Sequence, residues 1–305
     1  MKILVTGGAG YLGAVLVPKL LANGHHIAVL DSFRHGVPSL PSHNRLQIVK
    51  GDVRETERLA PLVEEADAVV HLAALVGAPA CEANRGTAIS TNLWATEIML
   101  LLLRDDQPLI YPCTNSGYGK GGVLPVTEDA PMTPISLYGR TKVDAETAIL
   151  KHPLGISLRF GTLYGPSPRM RLDLLVNDFV HKALRGDPLA VYEPEFRRCV
   201  LHVADAAEAI ALALENPKAL AGRPWNVGAE NVTKGALCEA IRRHLPAFSW
   251  FVANGKDPDQ RDYDISWQAF HTAIGWGPQR TLSAGIEALI RLYQQPFSGP
   301  SWRNA

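Results

Sequence analysis

Cysteine is scarce in this sequence. Cys81, Cys113, Cys199 and Cys238 stand far apart, without the paired spacings of a zinc site or a disulfide framework. No metal is therefore expected, and the thiols are expected to be reduced, as in a cytoplasmic protein. A charge excess is missing too: thirty Lys and Arg balance thirty Asp and Glu over 305 residues, with no basic block. Nucleic acid and anionic membrane surfaces are accordingly not expected partners. Long apolar runs are absent, since residues 98–103 fall far short of the ~20 that a spanning helix needs. The opening residues lack the charged and apolar regions of a signal peptide. Neither an internal repeat nor a low-complexity segment is present. The chain is nevertheless 47% hydrophobic, enough for a large core.

The residues that are there organise around the opening stretch MKILVTGGAGYLG. Ile3, Leu4 and Val5 read as a buried parallel strand. Gly7, Gly10 and Gly13 follow at three-residue intervals, and Leu12, Val15, Leu16 and Leu20 recur at helical spacing. A strand, a glycine turn and a helix N-terminus make an anion site, because free N–H groups and the positive end of the helix dipole meet there. Glycine lets the backbone approach a pyrophosphate closely. A second apolar strand, 27–30, ends in Asp31, at about the 20-residue distance where an acceptor for ribose hydroxyls is needed. A carboxylate there repels a 2′-phosphate and favours NAD, although Arg34 nearby offers such a phosphate a partner.

Strands are predicted over 46–49, 68–72, 109–111 and 156–160, and helices over 55–65, 87–103 and 137–150. The alternation predicts an α/β fold, a doubly wound parallel sheet with ligands over its carboxyl edge. Asp52 and Val53 follow the third strand, where they can hold an adenine; Asp52 as a helix N-cap is the plainer reading. The fourth strand ends His71-Leu72-Ala73-Ala74, its small residues leaving room for a cofactor and His71 packed in the sheet. Asn92 lies inside a predicted helix, from which it can reach back to the sheet loops. The second half is less regular: a helix over 174–184, a short strand over 200–203, and a helix over 205–214 returning to the sheet. Proline and glycine at Pro217, Pro224, Gly228, Pro258, Gly275 and Pro278 mark its boundaries.

Tyr138 and Lys142 are four apart on a helix and share a face. An ammonium beside a phenol lowers the phenol's pKa and makes an acid/base usable near neutral pH. Thr114, on the loop after the fifth strand, can bond the same substrate hydroxyl.

These segments together resemble the extended short-chain dehydrogenase/reductases of the nucleotide-sugar epimerase/dehydratase family. The likeness runs through TGGAGYLG, Asp31, Asp52-Val53, HLAA, Asn92, TNSGYG (114–119), PVTEDAPMTPISLYGRTK (125–142), LRFGTLYGP (158–166) and RCVLHVAD (198–205). It implies Tyr138 as base, Lys142 as its partner and ribose ligand, and Thr114 in the serine/threonine place. For NAD it further implies Tyr11 and Leu12 in the turn, Ser32 and Phe33 beside Asp31, and Phe160. For the substrate it implies Ser116, Thr162, Asn177, Arg198 and Arg261, the two arginines suiting a diphosphate by bidentate pairing. Residues 1–165, rejoined by 198–228, are expected to bind the dinucleotide, and 166–197 with 229–305 the substrate.

Departures from the family pattern narrow the reaction. Dehydratases follow the threonine with an Asp-Glu pair, whereas Asn115-Ser116 stands here. Family decarboxylases carry Glu, and the fucose-nucleotide enzymes a reactive Cys, at the place of Ser116. Thr162 replaces an Asn that holds the substrate diphosphate in many relatives. The expectation is an NAD-dependent nucleotide-sugar epimerase acting at C4 through a 4-keto intermediate. The alternatives are a dehydrogenase or 4-ketoreductase, and a dinucleotide-binding regulator without catalysis. Apolar residues spread round the helices 87–103 and 137–150 predict a homodimer through a four-helix bundle.

Overall fold

The structure is a computed structural model that describes residues 1–36, 40–121, 125–257 and 259–295. Pro258 and the final ten residues of the expected substrate region lie outside the described residues. The first half alternates β1 (Lys2–Thr6), α1 (Gly13–Ala22), β2 (His26–Asp31), β3 (Leu46–Lys50), α2 (Thr56–Glu65) and β4 (Ala68–His71). Short helices α3 (Ala78–Ala83) and α4 (Arg85–Ile89) come next, then a π-helical turn (Ser90–Trp94) and α5 (Ala95–Leu102). β5 (Leu109–Thr114), a 3₁₀ turn (Asn115–Tyr118), α6 (Leu137–Ile149), β6 (Gly155–Phe160) and β7 (Thr162–Tyr164) complete it.

The second half contains α7 (Leu175–Arg185), β8 (Leu189–Val191), β9 (Arg197–His202), α8 (Val203–Glu215), α9 (Pro217–Leu220) and β10 (Pro224–Val227). It ends in β11 (Glu230–Thr233), α10 (Lys234–His244), β12 (Trp250–Val252), α11 (Gln268–Ile274) and α12 (Leu282–Tyr293).

Seven parallel strands form the main sheet in the order β10-β6-β5-β4-β1-β2-β3. The order reverses at β1, where β2 and β4 flank it, so the crevice above its carboxyl end is the place for a ligand. Alternation along β1 builds two cores. Ile3 and Val5 pack with Leu16, Leu20 and Ile210 of α1 and α8. Leu4 faces the other layer, with Leu59, Met99 and Ala145 of α2, α5 and α6. A third core joins Val176, Phe179, Leu237, Ile241, Ile286 and Leu289 of α7, α10 and α12. The strand expected over 200–203 is longer and leaves the main sheet, pairing with β7 and β11 in a three-stranded one.

Two expectations about helices need correction. The helix expected over 87–103 is interrupted by the π turn, for a reason given below. Its outer stripe does expose apolar surface, Trp94 at 56% and Leu101 at 86%. On α6, however, the exposed positions are Arg140, Asp144 and Thr147. Its buried apolar residues turn inward, Ala145 and Ile149 into the sheet core and Leu137 against α3 and α4, so α6 lacks the second apolar face. Among the described residues, no helix is long and apolar enough to cross a membrane.

Candidate active site

The turn between β1 and α1 runs hard against the loop after β4. Gly7 has φ 69°, and a Cβ there would lie 2.7 Å from the nitrogen of Ala73. At Gly13 a Cβ would stand 2.5 Å from the carbonyl oxygen of Gly8. Among the described residues, the N–H groups of Tyr11, Leu12 and Gly13 have no acceptor, and no side chain caps α1. An uncapped helix end with free donors fits a pyrophosphate. Asp31 closes the turn: its Oδ2 accepts from Ala9 N at 2.9 Å and its Oδ1 from Phe33 N at 2.8 Å. Each oxygen keeps a lone pair for a ribose hydroxyl. Phe33 adopts φ 51°, while Ser32 and Arg34 beside it are exposed.

Asp52 does not cap α2. That helix starts at Thr56 with Glu55 in the cap position, and Asp52 instead accepts from Arg54 N at 2.9 Å and pairs with the Arg54 guanidinium at 2.7 Å. This hydrogen-bonded arginine holds its carboxyl below the usual range. Val53 is buried beside it. Leu72 and Ala73 donate to the carbonyl and hydroxyl of Thr6 at 3.0 and 3.3 Å, setting the half-buried Leu72–Ala74 segment along the crevice. His71 is fully buried between the hydroxyls of Thr6 (2.7 Å) and Thr96 (3.1 Å), a packed histidine. Burial pushes its pKa down to about 3. Phe160 ends β6 with its ring in the first core.

Asn92 reaches back to the sheet loops, but not to present a free amide. Its Oδ1 accepts from Leu75 N at 2.7 Å, and its Nδ2 donates to Leu75 O at 3.0 Å and Thr141 Oγ1 at 3.1 Å. Both N–H groups of the amide are engaged, and its oxygen takes one donor. Through these bonds Asn92 shapes the loop after β4. The π turn around it is where this polar residue faces the interior, as such turns often do at functional sites.

Thr114 ends β5, and its hydroxyl accepts from Ser116 N at 3.1 Å and lies 2.8 Å from Ser116 Oγ. The turn that follows packs directly on α6: a Cβ on Gly139 would sit 3.5 Å from Ser116 O. That brings Thr114 and Ser116 to the first turn of α6, which carries Tyr138. Ser136 caps this helix by accepting from Gly139 N at 3.1 Å.

The expected lowering of the Tyr138 phenol is not what the unliganded site provides. Burial raises its pKa well above the ordinary value, and Arg171 and Arg261 act against that only in part. The Lys142 ammonium stands over the ring of Tyr111, 3.7 Å from its centroid, and has no hydrogen-bond partner among the described residues. Burial lowers its pKa to about 8. A buried ammonium with three donors to give fits the hydroxyls of a cofactor ribose.

Of the substrate candidates, Thr162 is half-buried at the start of β7. Asn177 requires correction. It is fully buried, accepting from Gly165 N at 3.0 Å and donating to Tyr11 Oη at 3.2 Å and Arg171 O at 2.9 Å. With Tyr11 Oη donating to Gly165 O at 2.6 Å, it ties the glycine turn to the 165–177 segment and has nothing left for a diphosphate. Arg198 and Arg261 do come together, with Asp259 between them. Asp259 lies 3.3 Å from Arg198 Nη2, and its Oδ1 accepts from Arg261 Nε at 2.6 Å. These two guanidinia hold its carboxyl well below the usual range despite burial.

Several participants escape sequence reasoning. Asp259 sits in a charged run whose default is solvation, and only the fold brings Arg198 to it. Arg171, by contrast, is legible in the sequence as a further candidate in the loop 165–171; its charge acts on Tyr138 and it pairs with Asp173 at 3.2 Å. Tyr111 reads only as a strand residue.

The model of the NAD dependent epimerase/dehydratase family matches residues 3–228. UDP-glucuronic acid decarboxylase 6 of Arabidopsis thaliana is 30% identical, over 94% of this chain and 87% of its own length. UDP-glucose 4-epimerase of Corynebacterium glutamicum is 28% identical, over 92% of each. Among solved structures, UDP-glucuronic acid 4-epimerase from Bacillus cereus, in complex with UDP-glucuronic acid and NAD, superposes with a TM-score of 0.86 at 25% identity. That match covers 96% of this chain and 99% of the other.

Proposed function

Since the chain belongs to the NAD dependent epimerase/dehydratase family, we propose that it is an NAD-dependent nucleotide-sugar epimerase acting at C4 of a UDP-linked hexose or hexuronic acid. The observation that carries this reading is the turn after β5. Thr114 and Ser116 offer hydroxyls beside the Tyr138 end of α6, and Asn115-Ser116 offers no carboxylate for elimination or decarboxylation. The UDP-sugar and the C4 position come from the names of the relatives, two of which are 4-epimerases. In this reading Tyr138 takes the proton of the sugar O4 hydroxyl, and Thr114 orients that hydroxyl. Lys142 charges the site so that the buried phenol can ionise. NAD, held by the α1 end, Asp31 and Lys142, supplies the hydride acceptor and donor. Incubation with UDP-glucose, UDP-galactose and their uronic acids, followed by NMR, is expected to interconvert a C4 pair. A pentose product, or net accumulation of NADH, would contradict it.

Arg198 and Arg261 hold the substrate diphosphate in this account, and Asp259 competes for them. Asp259→Asn is therefore expected to tighten UDP binding by about 2- to 5-fold, the effect of one partly exposed ion pair. Calorimetric titration that found weaker binding would show that Asp259 orients the arginines instead.

In this reading the chain forms a homodimer through the apolar stripe of Trp94, at the end of the π turn, with Ile98 and Leu101 of α5. Light scattering should give about twice the 33.1 kDa chain mass. Leu101→Lys with Trp94→Glu should return it to the single-chain value. A wild-type mass of one chain would end this part of the account.

A further inference from the structure

We propose that Tyr111 is a positioning residue for Lys142: the face of its ring holds the buried ammonium charged at the carboxyl edge of the sheet. The inference rests on Lys142 having the role given above. Lys142 is only 4% exposed, yet among the described residues it has neither an ion pair nor a hydrogen bond at its ammonium. Stripping a cation of water without a partner is costly. The ring face of Tyr111, 3.7 Å away, is the compensation present, since the quadrupole of an aromatic face attracts a desolvated cation.

The groups around the ammonium leave that task to the ring. Cys113 of β5 and Cys81 of α3 are thiols whose pKa burial raises, Cys81 to about 11, so both are neutral. Tyr138, one turn back on α6, is also kept protonated by burial. Glu146, one turn on, gives its carboxylate to Arg159 at 2.7 Å and Ser157 at 2.5 Å. His71 of β4 stacks on Tyr111, with ring centroids 6.1 Å apart, and is neutral between its two threonines. A neutral imidazole adds no repulsion. The Tyr111 hydroxyl itself is buried without a partner among the described residues. The ring, not the hydroxyl, is therefore the working part.

The test compares Tyr111→Phe, which keeps the face, with Tyr111→Leu, which removes it. Two readouts are followed against pH: NAD binding and kcat/KM for epimerisation. The ring favours the charged amine, so its loss lowers the pH at which the ammonium deprotonates. Tyr111→Leu is expected to move the alkaline limb of both profiles acidward by about one pH unit. Tyr111→Phe should retain the wild-type limb. Phenylalanines carrying one, two and three ring fluorines at position 111 keep the core filled and should shift the limb in steps, whether or not the leucine variant folds. A limb that stays in place across the fluorine series would overturn the proposal. So would an equal loss in Tyr111→Phe and Tyr111→Leu. If the wild type does not epimerise, the proposed function fails alone, because the NAD titration still decides the role of Tyr111.

Discussion

Replacing Tyr138 by phenylalanine is expected to lower turnover by about 10²–10⁴-fold, the contribution of one positioned acid/base. NAD binding should survive, because the ring still fills its place and the donors at the α1 end and Asp31 are untouched. The loss should fall on kcat and on kcat/KM alike, as for a group that acts in the transition state. Thr114 cannot substitute: an alcohol hydroxyl is far too weak an acid to ionise in this setting. A variant that turns over at near the wild-type rate would remove Tyr138 from the mechanism.

The second large effect is on stability. Arg159 and Glu146 form a buried pair, at 2.7 Å, with side chains 6% and 4% exposed. The guanidinium also donates to Tyr118 Oη at 2.7 Å and to the carbonyl of Glu128 at 3.0 Å. Tyr118 Oη in turn donates to Asn226 Oδ1 at 2.7 Å on β10. Arg159→Met leaves a carboxylate in the core with only the Ser157 hydroxyl, at an expected cost of about 3–5 kcal/mol. Adding Glu146→Gln should recover part of that, since no unpaired charge then remains. Urea unfolding checks both. A loss below about 1 kcal/mol in the single variant would mean that water reaches the pair.

The fold was legible because parallel strands buried on both faces read as continuous apolar runs, and the helices between them keep a 3.6-residue period. Leu4 against Ile3 and Val5 shows how directly such a pattern assigns faces. The glycine turn and Asp31 were legible for the same reason: they are local, and their spacing is their chemistry. Side-chain partners set by distant segments were not. Asn177 reads as a polar helix residue free for substrate until Gly165 and Tyr11 occupy its amide. That Asn92 reaches back to the sheet loops is legible, but neither its partner Leu75 nor the π turn around it is. The stretch 200–203 that reads as a strand is short and apolar, which does not say which sheet it joins. The pKa of Tyr138 failed to follow from the Tyr-Lys spacing because burial of the phenol outweighs the charges that act on it, a quantity no spacing contains.

The central claim is that one hydride leaves C4 of the sugar and returns to the same carbon. A UDP-hexose or UDP-hexuronic acid carrying deuterium at C4 tests this directly, with NMR reading the label in the product. The account predicts the C4 epimer with deuterium still at C4, in ordinary water and without added reductant. Epimer that has lost its deuterium to solvent, or a product with a different carbon skeleton, would contradict it.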